Sequence, residues 1–260
     1  PFIVVFFKFI MATHNQQQLR QTYFTKEVSK IYFKRLYLYF EKLEKAITIE
    51  KDPDISSLPA IVFKGCINYT NDFYDCAMIC DLLIHEVENS ANKIVPVGFD
   101  LEWPFSFQTG SGKTALAQIC LNKTVCYLLH VYELKKLPAS FVILLSHPKV
   151  KLVGVNIKND IWKLGRDFKE FPAQKVVENN CIDCGKFANE VLNRSCRWSL
   201  ERLTLKKKIN KDKKVRNSKW HIQPLSKEQR VYAATDAYVC ICLKINFNVT
   251  GSSCFNSLCA

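Results

Sequence analysis

The chain has 260 residues, 48% of them apolar and 23% charged, a globular mixture that excludes a disordered or fibrous protein. Lys and Arg number 37 against 24 Asp and Glu, and that formal +13 points to a polyanionic partner, either nucleic acid or an anionic membrane surface. The 12 cysteines are scattered over a chain long enough to build its own core, which argues against a disulfide-framework mini-protein.

Residues 1–10 (PFIVVFFKFI) form an apolar run well short of the roughly 20 residues a membrane-crossing helix needs. Lys8 interrupts the run and Pro1 cannot initiate, so upstream sequence with Met11 as the start is the expectation, and a truncated secretory leader the alternative. Val28, Ile31, Tyr32, Leu36, Tyr39, Phe40 and Leu43 recur at helical spacing, which predicts an amphipathic helix over 19–51. Residues 11–57 thus read as a helical lead-in and linker, broken at Asp52-Pro53-Asp54. The main domain is expected over 58–245. Its predicted strands are 60–64, 94–103, 115–121, 124–130, 151–156 and 176–182, and its predicted helices 72–89, 131–145, 160–168, 184–193, 199–206 and 226–245. Three strands on short loops, then strands alternating with helices, describe an α/β fold whose mixed sheet has an antiparallel edge. Residues 246–260 lack periodicity and read as a loose tail.

Two motifs do not carry their usual chemistry. Gly110-Ser111-Gly112-Lys113-Thr114 resembles a phosphate-binding loop, but Phe107 stands where the loop needs its first glycine. The residues that follow read as a strand, whereas phosphate binding needs a helix N-terminus, so a flexible hairpin loop is expected. Cys181-Ile182-Asp183-Cys184 has CxxC spacing without a second pair at matched spacing, so reduced structural thiols are expected.

Acidic residues carry more. Ile94-Val95-Pro96-Val97-Gly98-Phe99 leads as a buried strand into Asp100-Leu101-Glu102-Trp103. Asp100 and Glu102 at i,i+2 share one face of that strand. Like charges held so close are unfavourable unless cations lie between them, and hard divalent ions take such oxygen ligands. Asp160 follows another buried strand at the start of a helix, where the helix dipole alone would favour an acid. Tyr232 and Asp236 sit one turn apart on a helix opened by Ser226 and Gln229, a capping-box pair. Ala233, Ala234 and Ala237 keep that helix slim enough to approach a sheet closely.

Phe-Asp-Leu-Glu-Trp, the later Asn-Ile-Lys-Asn-Asp and the helical Tyr-x-x-x-Asp resemble, in order and spacing, the three motifs of DEDD 3'–5' exonucleases, in the branch marked by tyrosine. The resemblance is closest to the exonuclease domain of Werner syndrome proteins and their stand-alone relatives, and runs from about residue 58 to 243. It implies a ribonuclease H-like fold with a five-stranded mixed sheet flanked by helices, here with an N-terminal helical extension. It also implies two Mg²⁺ or Mn²⁺ ions held by Asp100, Glu102 and Asp236, with Asp160 supporting the second ion and Tyr232 orienting the attacking water. The implied reaction shortens DNA from an accessible 3' end, releases 5'-mononucleotides and serves repair and replication, with a separate RecQ-type helicase as a partner. Two ions and four carboxylates supply what phosphodiester hydrolysis needs, with no histidine or serine nucleophile.

The excess positive charge concentrates between residues 206 and 219, where Lys206, Lys207, Lys208, Lys211, Lys213, Lys214, Arg216 and Lys219 face Asp212 alone. Phosphate neutralisation there is expected to make binding salt-sensitive. Trp162 and Trp220 are candidates to stack on a terminal base, and Leu101, between the two acids, is a further substrate-binding candidate. Lys206-Lys207-Lys208 also suits a nuclear localisation signal, and the membrane reading of the charge falls away. The alternatives are a ribonuclease D-type RNA-trimming enzyme, which shares the same acids and tyrosine, and a catalytically idle nucleic-acid-binding module. The idle module should have lost acids, and all four are present.

Overall fold

The computed structural model of the protein describes residues 60–192, 195–204, 208–209 and 212–246. The segments expected at 1–10, 11–57 and 246–260 lie outside the described residues apart from Asn246, as does Lys211.

Six strands form the central sheet: β2 (Cys66–Thr70), β3 (Val95–Glu102), β6 (Leu116–Cys120), β7 (Val125–His130), β8 (Val150–Gly154) and β9 (Cys181–Asp183), in the order β2-β7-β6-β3-β8-β9. Two-residue strands β1 (Ala60–Ile61) and β10 (Lys208–Ile209) pair with each other, and β4 (Phe105–Ser106) pairs with β5 (Gly110–Ser111). The helices are α1 (Phe73–Asn89), α2 (Ala139–Ser146), α3 (Ile157–Asp167), α4 (Ala173–Asn179), α5 (Cys184–Leu192), α6 (Leu200–Leu203), α7 (Lys213–Arg216) and α8 (Lys227–Asn246).

Several expectations are corrected. The sheet has six strands, because Cys66–Thr70 joins as an edge strand parallel to β7; this short run, with Asn68 in its middle, gives little apolar signal. Of the predicted strand at 60–64, only Ala60 and Ile61 pair, and outside the central sheet. The antiparallel part is the interior meander β3-β6-β7, while both edge strands run parallel to their neighbours. Most of the predicted strand at 176–182 is α4, since Ala173, Val176 and Val177 fall on one buried helical face. The helix predicted at 131–145 starts only at Ala139, after Pro138, which disfavours helical backbone in the residue before it.

Alternation along the strands divides the core into two layers. Val97, Phe99, Leu101, Ala117, Ile119 and Leu129 face one layer, shared with α1, α2, α3 and α4. Leu116, Cys120, Cys126 and Leu128 face the other, covered by Ala233, Ala234, Ala237 and Ile241 of α8. Asp72 starts α1 by accepting hydrogen bonds from the N–H groups of Tyr74 and Asp75, and Ser226 and Gln229 close the expected capping box at the start of α8. Among the described residues, no helix is long and apolar enough to cross a membrane.

The alanines and Gly98 let α8 lie close on β3. A Cβ at Gly98 would stand 2.1 Å from the Ala237 carbonyl oxygen and 2.8 Å from Ile241 Cγ1. Gly98→Ala is therefore expected to cost about 1–3 kcal/mol through overpacking. For a domain of this size, each kcal/mol lowers Tm by about 2–4 °C, measured by thermal melting. The substitution also pushes α8 away from β3, so activity should fall more than the stability loss accounts for.

Candidate active site

Asp100 and Glu102 stand on the α8 side of β3, beyond Gly98, and helix α8 brings Tyr232 and Asp236 over them. Asp100, Glu102 and Asp236 each place a carboxylate oxygen within 4.8 Å of the others. Asp160 reaches the same neighbourhood from the first turn of α3. Asn156, which precedes that helix, has φ 60°, a left-handed conformation that asparagine tolerates better than most residues. It turns the chain sharply from β8 into α3.

The electrostatics are those of crowded acids. Burial pushes the Glu102 carboxyl well above its usual range, and the charges of Asp100, Asp236 and Asp160 push it further, against the pull of Arg216. Burial likewise raises Asp160, aided by Asp100 and Asp183. The Tyr232 phenol is raised by burial and by Asp236, Glu102 and Asp100, with Arg216 opposing, so it stays a protonated O–H at neutral pH. Carboxylates crowded together in a half-buried site repel one another, and oxygen ligands in this arrangement suit a hard divalent cation. Asp100, Glu102 and Asp236 could hold such an ion directly, with Asp160 beside them.

The candidate substrate residues separate. Arg216, at the end of α7, is exposed yet close enough to act on Glu102 and Tyr232. Lys213 and Lys214 are exposed on the same short helix. Trp162 is 40% exposed, but two helical positions from Asp160 put it on the far side of α3. Two candidates are corrected. Trp220 is fully buried, donates its indole N–H to the Arg216 carbonyl at 2.9 Å, and packs behind Tyr232 with ring centroids 6.0 Å apart. It supports the tyrosine and offers no face to a base. Leu101 points its side chain into the opposite layer of the core, as strand alternation requires.

Some neighbours of the site escaped the sequence reading. Gln118 is opposite Asp100 in the β3–β6 register and fully buried, and among the described residues neither polar atom of its amide group has a hydrogen-bond partner. A lone amide in the apolar run Leu116-Ala117-Gln118-Ile119-Cys120 was the available signal. Lys163 and Asp167 form a largely buried i,i+4 ion pair on α3. Burial favours the neutral Asp167 carboxyl, but hydrogen bonds from Lys163 and Thr114 and the Lys163 charge hold it below the usual range. The rejected phosphate-loop motif continues directly into β6, and Lys113 donates to the carbonyls of Tyr132 and Leu134 at 2.7 Å. Burial pushes the Cys181 thiol up to about 12, and among the described residues no cysteine joins a metal-ligating group.

The chain is similar to known proteins in sequence and in fold. The chain is 50% identical over 185 residues to a protein of Drosophila melanogaster named 3'-5' exonuclease, covering 70% of this chain and 52% of the relative. It is 47% identical over 186 residues to the Drosophila mojavensis protein of that name, covering 70% and 56%. The chain thus spans about half the length of the curated relatives it matches. The catalytic core of Trypanosoma brucei RRP6 shares the fold, with TM-score 0.52 and 20% identity over 72% of this chain and 48% of that one. Brucella melitensis NrnC bound to pGG does so with TM-score 0.51 and 17% identity over 70% and 79%. A family profile described as 3'-5' exonuclease matches residues 78–249, so with its four acids and tyrosine gathered at one site the chain belongs to the 3'-5' exonuclease family.

Proposed function

We propose that the protein removes nucleotides from the 3' ends of DNA, with two Mg²⁺ or Mn²⁺ ions at the acid cluster, and releases 5'-mononucleotides. The observation that carries the metal dependence is the convergence of Asp100, Glu102 and Asp236 within 4.8 Å, with mutual repulsion written into Glu102. Bound divalent ions would supply an activated water and charge stabilisation for the departing oxygen. Asp100, Glu102 and Asp236 would hold the ions, and Asp160 would support the second. Tyr232, kept protonated by burial and its acidic neighbours, would orient that water through its phenolic oxygen. Arg216 takes a phosphate beside the cluster, Lys213 and Lys214 hold the backbone from the same short helix, and Lys211 adds its charge to the run.

DNA is favoured over RNA by the motif resemblance to Werner-type exonuclease domains. That resemblance also supports a role in genome maintenance beside a separate RecQ-type helicase. The basic run at 206–208 supports a nuclear location. Incubation with 3'-recessed DNA and an equivalent RNA, each end-labelled, tests the reading in the presence of Mg²⁺, Mn²⁺ or EDTA. A ladder that shortens from the 3' end on DNA and vanishes with EDTA is expected. Shortening of RNA alone would replace the DNA reading with the RNA-trimming one.

Joint replacement of Lys211, Lys213 and Lys214 by alanine should weaken DNA binding and flatten its salt dependence. Each lost phosphate contact removes about 0.9 from the slope of log affinity against log salt. Binding titrations at several salt concentrations measure this, and an unchanged slope would remove these lysines from the substrate track.

A further inference from the structure

We propose that the hairpin over residues 105–111 carries a base-stacking subsite, formed by Phe105 and Phe107, for unpaired bases of the strand bound at the acid cluster. This rests on the nucleic-acid reading above and adds a binding site to it.

The hairpin grows directly out of the catalytic strand. β3 ends at Glu102, and after Trp103 and Pro104 the chain forms β4, turns, and returns through β5. Phe105 is 61% exposed and Phe107 99% exposed. Their rings meet edge to face, with centroids 5.3 Å apart at 84°. Single exposed apolar residues are common on protein surfaces and need no explanation. Here two aromatic side chains pack on each other outside both core layers, and an open ring face remains for a flat partner.

The root of the hairpin is held firmly while its tip is bare. Gly112 N–H donates to the Pro104 carbonyl, and Ala115 N–H to the Glu102 carbonyl, each at 2.8 Å. Lys163 donates to the Gly112 carbonyl at 2.6 Å, and its ammonium lies 5.6 Å from the Trp103 ring centroid. Asp167, paired with Lys163, accepts at 2.7 Å from both the N–H and the hydroxyl of Thr114. The returning strand is therefore tied to α3, the helix that carries Asp160. A fixed root positions the aromatic tip relative to the acids without a separate ordering cost.

Reach selects the ligand. Phe107 is five residues beyond Glu102, so it lies at most about 17 Å along the chain from that carboxylate residue. At about 3.4 Å of rise per nucleotide, that distance covers roughly five nucleotides. Ser106, Gln108, Thr109 and Ser111 flank the rings, and Lys113 is committed to two backbone carbonyls. What the two phenylalanines themselves offer a partner is an exposed ring face, 99% exposed at Phe107. A nucleobase, in DNA or RNA, has a π-face to match it.

The test uses 15-residue DNA and RNA strands with 2-aminopurine placed singly at positions two to six from the 3' end. Fluorescence is measured in EDTA, where stacking quenches the probe and no cleavage is expected. The 260-residue chain should quench one or two adjacent positions; F107A should lose that quenching and F107W should restore it. With metal present, F105A/F107A should raise the ratio of the KM for the 15-residue strand to that for a dinucleotide by about 5- to 150-fold, the range for loss of one base stack. The strand type that shows quenching identifies the source of the base. Equal fluorescence and an equal KM ratio in wild type and F105A/F107A would overturn the proposal. If wild type cleaves neither strand nor the dinucleotide, the exonuclease reading fails, and the fluorescence arm still decides the stacking.

Discussion

Asp236→Asn is expected to move activity and metal-free stability in opposite directions. Loss of a group that merely orients a metal ligand costs about 10–100-fold in metal affinity or activity, so loss of a ligand itself should cost more than 100-fold in exonuclease rate. In EDTA the same substitution removes one of three carboxylates lying within 4.8 Å of one another. Repulsion at that distance and partial burial is on the order of 1–3 kcal/mol. The melting temperature in EDTA should therefore rise by at least about 2–4 °C. Asp100→Asn should behave in the same way. A general disruption of the fold would lower both quantities, so the opposed signs distinguish an electrostatically frustrated metal site from an ordinary buried polar pair. Retained activity in either variant would sink the assignment.

The second large effect is in the pH dependence of stability without metal. Glu102 and Asp160 have folded-state pKa values above their ordinary 4.5 and 3.8. The folded protein therefore binds protons more tightly than the unfolded chain, and its stability falls as pH rises. The contribution is fully present below the ordinary carboxylate range and is lost upward through the raised values. Urea midpoints in EDTA should decline from about pH 4 upward relative to midpoints with Mg²⁺ or Mn²⁺, and the two curves should separate further toward neutral pH. Divalent ions displace the protons, so affinity should increase with pH and binding should release protons, measured by calorimetry in buffers of different ionisation enthalpy. Glu102→Gln should close most of the gap. Parallel curves with and without metal would contradict the described charge balance.

The acids were readable in the sequence because their positions obey local rules. Strand alternation put Asp100 and Glu102 on one face, the capping box located the start of α8, and i,i+4 spacing joined Tyr232 to Asp236. The long strands and helices with clear periodicity were readable for the same reason. What stayed hidden depends on partners far away in the chain. Cys66–Thr70 becomes a strand only because β7 offers it an edge, and Val176 and Val177 become helical because that face meets the core. Trp220 followed a lysine-rich run and so read as a surface aromatic, but its indole fills the space behind Tyr232. Leu101 shows the limit of proximity in sequence: it lies between two site acids, and the pleat sends it the other way. Gln118 and the Lys163–Asp167 anchor needed cross-strand register and tertiary contact to acquire meaning.

The acids are delivered by β3, α3 and α8, and α8 is the last of these to leave the ribosome. At roughly 5–20 residues per second, a growing chain carries Asp100 and Glu102 for on the order of ten seconds before Asp236 exists. During that interval the cluster lacks one of its carboxylates and its tyrosine, so on the proposed function a nascent chain would neither hold the ions nor aim a water. On the proposed function, hydrolytic capacity would arrive only with the completion of folding.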